Sequence, residues 1–231
     1  MDYNLWTQIS NLRHEKRTSK QVDSIDSNPI SFKGIVIGDI AVGKTCLIHR
    51  LLSDSFNSEH FATVGVDYFC SHGLVINGTW GVKLNLWDSA GQEKFRSITR
   101  LFYKDTQVVF LVFNLTDRSS FDNLHSWIHD VNSNTRDETI KYLVGNQSDR
   151  EQERRVSREE ALKFMRDNFM NHYVETSALV GTNVNELFNT AAKHLYLETV
   201  GTSKAEEAEF FDQVKYKSTH GTGSFSITTS K

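Results

Sequence analysis

The chain has 231 residues, 38% of them apolar and 24% charged, proportions typical of a globular protein with a core of useful size. Its net charge of −3 provides no strong basic field, so we expect no nucleic-acid partner. Cys46 and Cys70 are too few for a disulfide framework and favour a reducing, cytoplasmic compartment. No apolar run approaches the length of a membrane span, and the first ten residues lack the apolar segment of a signal peptide.

Residues 1–30 contain the only proline, Pro29, and show no long apolar pattern. This composition favours a flexible N-terminal extension, with a short partner-binding helix around Leu5–Leu12 as the alternative. Residues 31–200 alternate between strand-like and helix-like patterns and predict one folded domain. Residues 201–231 are polar, with an acidic patch, and predict a disordered C-terminal tail.

Short apolar runs predict the strands of this domain. They are Gly34–Ile37, Lys83–Trp87, Val108–Phe113, Tyr142–Val144 and Tyr173–Thr176. A further strand-like run, Asp67–Ile76, is followed by Asn77-Gly78 and Val82–Trp87. Asn-Gly between two such runs is a strong hairpin signal, so we expect one strand to be antiparallel.

Helical periodicity fills the segments between the strands. Phe121–Val131 and Val184–Leu195 carry apolar residues at helical spacing, and Ser157 with Glu160 predicts a capping box ahead of a third helix. Strands that alternate with helices imply right-handed crossovers. The predicted fold is therefore α/β, with a mostly parallel six-stranded sheet, one antiparallel strand and helices on both faces.

The strongest functional signal is an octapeptide between the first strand and a helix, which matches G-x-x-x-x-G-K-[ST]. Its residues are Gly38, Asp39, Ile40, Ala41, Val42, Gly43, Lys44 and Thr45, and we add Cys46, the next residue, to the expected nucleotide contacts. Backbone N–H groups of such a loop and of the following helix bind phosphate. Lys44 is predicted to bind the β- and γ-phosphates and Thr45 to bind Mg²⁺. The motif predicts the P-loop NTPase fold.

A second motif follows the strand Lys83–Trp87. Asp88 lies at the strand end, where an acid holds Mg²⁺ directly or through water. Gly91 offers a backbone N–H to a γ-phosphate, and Gln92 is placed to orient the attacking water.

Two further motifs predict recognition of the base. They contain Asn146, Gln147 and Asp149 after one strand, and Ser177, Ala178 and Leu179 after the next. Asp149 can accept two hydrogen bonds from guanine, a donor pair that adenine lacks, and the N–H of Ala178 would donate to guanine O6. All these motifs lie at carboxyl ends of strands, where α/β sheets bind ligands, so we expect them to meet.

The order of GDIAVGKT, ATVG, WDSAGQE, NQSD and TSAL resembles the five motifs of the Ras superfamily of GTPases, over residues 32–200. Thr63–Tyr68 and Gln92–Thr99 resemble the Rab branch. The resemblance implies a molecular switch in vesicle trafficking that binds GTP and GDP with Mg²⁺ and hydrolyses GTP. It also implies that Thr63 is a switch I ligand of Mg²⁺, that Phe56 packs edge-on against guanine, and that Gln92 is catalytic.

The same resemblance implies three kinds of partner. Effectors would bind the GTP state through switch I and switch II, and an exchange factor and a GTPase-activating protein would act in trans. We expect the chain itself to be a monomer.

Ile40 departs from the family pattern at the P-loop position nearest the γ-phosphate. Its branched side chain either crowds Gln92 and an incoming arginine finger, which predicts slow hydrolysis, or points away from them. Gln147 replaces the lysine of N-K-x-D, which predicts weaker nucleotide binding and faster exchange, with guanine selectivity kept by Asp149.

The last residues contain no cysteine for prenylation and no polybasic patch. Unless the natural C-terminus lies further on, we expect no direct lipid anchor and a cytoplasmic protein that reaches endomembranes, if at all, through protein partners. These departures motivate one alternative function, a nucleotide-bound scaffold with negligible turnover.

Overall fold

The computed structural model describes residues 30–57, 62–71, 74–76, 80–92 and 96–200. Its strands are β1 (Ile30–Ile37), β2 (Val66–Cys70), β3 (Leu74–Ile76), β4 (Trp80–Ser89), β5 (Val108–Asn114), β6 (Ile140–Asn146) and β7 (His172–Glu175). Its α-helices are α1 (Lys44–Ser53), α2 (Arg96–Arg100), α3 (Arg118–Asp122), α4 (Leu124–Asn134), α5 (Arg158–Asp167) and α6 (Val184–Val200), with a 3-10 helix at Ser148–Glu153. The N-terminal extension and the polar tail lie outside the described residues and stay predictions.

The strands form one sheet in the order β2-β4-β1-β5-β6-β7, and β3 also pairs with β4. β4, β1, β5, β6 and β7 are parallel to one another. β2 and β3 both pair antiparallel with β4, on its outer side, and follow each other along that edge of the sheet. With these segments counted as one strand, the mostly parallel six-stranded sheet with one antiparallel strand is confirmed.

The antiparallel edge is described in two segments, β2 and β3. Cys70 pairs with Asn85 and Leu74 with Val82. Ser71, which directly follows β2, accepts from the backbone N–H of Leu84 through its Oγ at 2.8 Å. Residues 77–79, which include the predicted Asn77-Gly78 turn, are not described, but the pairing of Ile76 with Trp80 confirms the hairpin.

Apolar cores cover both faces of the sheet. Successive residues of β5 point to opposite faces, so its unbroken apolar run supplies both cores. Val108, Phe110 and Val112 join the core under α1 and α6. Val109, Leu111 and Phe113 join the core under α3, α4 and α5. Helices cover both faces of the sheet, as predicted. A ligand-binding site is therefore expected at the ends of the strands, which the helices do not cover.

Local capping signals also agree with the structure. Ser157 Oγ accepts from Glu160 N at 3.2 Å, and Glu160 Oε2 accepts from Ser157 N at 3.0 Å, which completes the predicted capping box of α5. The helical face predicted for Phe121–Val131 is buried but divides at Asn123 into α3 and α4. Within the described ranges, no helix has the length and apolarity needed to cross a membrane.

Candidate functional site

The loop between β1 and α1 packs against the end of β6 and is hydrogen-bonded to it. Gly43 has φ 93°, in the left-handed region, and a Cβ at this position would approach Asn146 Nδ2 to 2.4 Å. Only glycine meets both conditions. Asn146 Nδ2 donates to the Val42 carbonyl at 2.9 Å. The P-loop and the predicted base-recognition segment therefore form one unit.

Lys44 is buried, and its ammonium spans the P-loop. Nζ donates to the carbonyl oxygens of Gly38 at 2.9 Å and Asp39 at 2.7 Å. Burial lowers the pKa of Lys44 to about 8, and the carboxylates of Asp88 and Asp39 oppose that shift. A phosphate anion beside the ammonium would favour its charged form further, which fits the predicted role of this residue.

Three side-chain oxygens converge next to Lys44. Thr45 Oγ1 donates to Asp88 Oδ2 at 2.5 Å, and Thr63 Oγ1 lies 2.9 Å from Thr45 Oγ1. Asp88 is fully buried, and burial is the largest cause that raises its pKa, opposed by the hydrogen bond from Thr45.

This oxygen cluster fits Mg²⁺. Magnesium prefers hard oxygen ligands and is commonly held by one or two protein groups together with substrate phosphates. Asp88 Oδ1 has no hydrogen-bond partner among the described residues, and a metal or its water shell would satisfy it. The described part of the chain contains no group of three or more His, Cys, Asp or Glu side chains suited to a metal. The sequence predicts Thr45, Thr63 and Asp88 as the metal ligands, and that role stays a prediction.

The segment after β4 lies against the rim of the P-loop. A Cβ on Gly91 would come within 2.3 Å of the Asp39 carbonyl and of Ile40 N, so a glycine is needed for this close approach. Ala90 N donates to the Gly65 carbonyl at 2.8 Å and joins this segment to the one that carries Thr63. Gln92, which is partly buried, follows directly.

Asn146 connects the predicted base-recognition motifs. Its Oδ1 accepts from Thr176 Oγ1 and from Ala178 N, both at 3.2 Å. The predicted donation from Ala178 to guanine O6 would therefore share an N–H that already has an acceptor. Ser177 Oγ donates to Asp149 Oδ1 at 2.5 Å, which orients the carboxylate expected to bind guanine.

Four more residues were predicted to contact the nucleotide. Phe56 and Leu179 are 37% and 50% exposed, and a base packed on them would cover apolar surface. Cys46 is half-buried in the first turn of α1, where burial raises the pKa of its thiol. Gln147 Nε2 donates to the Ala41 carbonyl at 3.4 Å, a long contact between the base segment and the P-loop.

Asp39 has partners that sequence reasoning missed. Trp127 Nε1 donates to its Oδ1, and Asn123 Nδ2 donates to its Oδ2, both at 2.7 Å. The guanidinium of Arg96, in α2, stacks on the Trp127 ring at 4.2 Å from the centroid. No local pattern marks these contacts, because they join residues more than eighty positions apart in the chain.

Known proteins resemble this chain over most of its length. The Ras family model matches residues 33–197. Ras-related protein Rab-39A of Mus musculus is 44% identical over 170 residues, which cover 71% of this chain and 77% of that protein. Ras-related protein Rab-13 of Canis lupus familiaris is 39% identical over 170 residues, covering 74% and 82%. Ras-related protein Rab-26 of Bos taurus is 36% identical over 191 residues, covering 82% and 73%.

Proposed function

The chain belongs to the Ras family as a Rab-like small GTPase, and we propose on that basis that it binds GTP and GDP with Mg²⁺ and hydrolyses GTP. It acts as a molecular switch in vesicle trafficking. The observation that carries this proposal is the convergence of buried Lys44 with the oxygens of Thr45, Thr63 and Asp88. This arrangement supports a site for phosphates and a divalent cation at the ends of the parallel strands.

Each part of the site has a chemical role in this proposal. Lys44 and the backbone N–H groups of the P-loop hold the phosphates, and Thr45, Thr63 and Asp88 hold Mg²⁺, which neutralises charge on the phosphates. Gln92 orients the attacking water.

The switch follows from the segments that carry Thr63 and Gly91. Both segments lie at the site, and both would make contacts that exist only with the γ-phosphate. After hydrolysis those contacts are lost, so effectors that need both segments ordered bind the GTP state more tightly.

Effectors would bind through switch I and switch II, while an exchange factor and a GTPase-activating protein act in trans. Exposed apolar side chains support such a surface, because Val64, Tyr68 and Leu101 are 77%, 55% and 76% exposed. We propose that the chain acts as a monomer and is recruited to endomembranes by such protein partners.

Mass analysis of the nucleotide that co-purifies with the full chain tests the nucleotide assignment. We expect GDP, since a working switch relaxes to that state during purification. Bound ATP, or no guanine nucleotide, would contradict the proposal.

Single-turnover hydrolysis of GTP-loaded protein then tests turnover. We expect Gln92→Leu to slow hydrolysis at least about tenfold while GDP stays bound, because the side chain acts on water and not on the nucleotide. Equal rates in the wild type and in Gln92→Leu would instead favour the scaffold alternative.

A further inference from the structure

Gln147 and Arg150 form a side-chain pair at the edge of the predicted base site. Gln147 precedes the 3-10 helix Ser148–Glu153, with φ 66°, and Arg150 lies three positions later. Arg150 has non-helical dihedral angles, φ −98° and ψ 47°, and marks a kink inside this segment. Arg150 Nη1 donates to Gln147 Oε1 at 2.9 Å. Gln147 therefore has a cationic neighbour at the position where the family carries a lysine.

Glu153 fixes the guanidinium of Arg150. Arg150 Nε donates to Glu153 Oε1 at 2.9 Å, and Nη2 donates to Oε2 at 2.5 Å. A two-point contact of this kind restricts the planar guanidinium far more than one hydrogen bond does. With two donors committed to Glu153, Nη1 remains directed at Gln147.

This contact determines which way the Gln147 amide faces. A guanidinium can only donate, so the atom that faces Arg150 must be the amide oxygen. The Nε2 group then points to the P-loop, where it donates to the Ala41 carbonyl at 3.4 Å. A free glutamine would lose this orientation by rotation about its last bond.

We propose that Arg150 is a positioning residue of the nucleotide site, which holds the Gln147 amide against the P-loop and thereby slows nucleotide release. The inference rests on the proposed function, because it concerns release of the guanine nucleotide. It also alters the expectation for Gln147, since the lost lysine charge is partly replaced by a neighbouring guanidinium.

The release rate of fluorescent GDP from the full chain, chased with excess GDP, tests this inference. We compare the wild type with Arg150→Ala, Gln147→Ala and the double variant. Arg150→Ala should release GDP about threefold faster, the scale of one exposed charged hydrogen bond. In the Gln147→Ala background the same change should have no effect, because the acceptor is gone.

Two further variants test whether Arg150 acts by positioning the Gln147 amide or by stabilising the 3-10 helix through Glu153. Arg150→Lys keeps a cationic donor and should restore part of the slow release. Arg166→Ala, which removes an exposed arginine from α5, is the matched control and should leave the rate unchanged.

Two results would overturn the inference. One is equal release from Arg150→Ala and the wild type. The other is the same acceleration by Arg150→Ala with and without Gln147, which would mean that Arg150 acts only through Glu153. Either result leaves the proposed function intact, whereas a wild-type chain that retains no GDP contradicts both.

Discussion

At the scale of single residues, Ile40 illustrates how the rim of the P-loop bears on catalysis. Its side chain is 51% exposed, so it does not pack into either core. Its backbone N lies where a Cβ on Gly91 would collide, one residue from Gln92. If the exposed side chain turns toward that segment, it would restrict Gln92 or an arginine finger that enters in trans, the first of the two alternatives given above.

Ile40→Ser tests this restriction. We expect single-turnover GTP hydrolysis to become about threefold faster, equivalent to less than ~1 kcal/mol of barrier, because a smaller side chain gives Gln92 room. Ile40→Val, which keeps the branched shape, is the control and should change the rate little. No gain in Ile40→Ser would show that the isoleucine points away from the reaction.

At the scale of elements, α4 is attached to the P-loop through Asp39. The two donors to this carboxylate differ in burial, since Trp127 is 1% exposed and Asn123 is exposed. Loss of a buried donor leaves an acceptor without compensation by water, whereas loss of an exposed donor is compensated. Trp127 also stacks under Arg96 of α2, so three elements meet at this indole.

Trp127→Phe and Asn123→Ala compare these two donors. We expect Trp127→Phe to lower the free energy of unfolding by about 2 kcal/mol, from the lost hydrogen bond and imperfect packing. Asn123→Ala should cost less than ~1 kcal/mol, because solvent replaces its amide. Urea unfolding with saturating GDP and Mg²⁺ measures both, and equal costs would show that burial of the indole is unimportant.

At the scale of the whole molecule, α6 packs across the sheet and carries a buried histidine. His194 is 4% exposed, and its ring lies 5.8 Å from that of His172 and 6.5 Å from that of Tyr142. Burial, with a smaller contribution from the neighbouring His172, lowers the pKa of His194 to about 4. The folded chain therefore resists protonation of a group that is protonated in the unfolded chain near its ordinary pKa of 6.5.

This difference predicts an acid-dependent loss of stability. The contribution is fully present above pH 6.5 and is lost as the pH falls toward about 4, to a total of about 3 kcal/mol. His194→Gln carries a side chain that is neutral at every pH, so its free energy of unfolding should depend less on pH in this range. His129→Gln, an exposed histidine of α4, is the matched control and should leave it unchanged. Chemical unfolding between pH 4 and 7 would contradict the prediction if all three chains lost stability in parallel.

Much of the fold follows from local patterns that the structure confirms. The apolar run in β5 predicts a strand buried on both faces, and Ser157 with Glu160 predicts the start of α5. The division between α3 and α4 at Asn123 was not predicted, because periodicity alone does not show a change of helix axis. The contact of Ser71 Oγ with the backbone N–H of Leu84 was not predicted for a similar reason, since it depends on pairing with β4.

The candidate nucleotide site likewise contains some features that the sequence predicts and others that only the structure shows. The sequence by itself determined the position of the P-loop motif, of the acid after β4 and of the segment predicted to bind guanine, because each is a contiguous segment with its own chemistry. Only the tertiary structure decided that Asp39 accepts a hydrogen bond from Trp127, 88 positions away, and that Arg150 donates to Gln147. Such contacts depend on strand order and on side-chain orientation, which neither composition nor periodicity specifies.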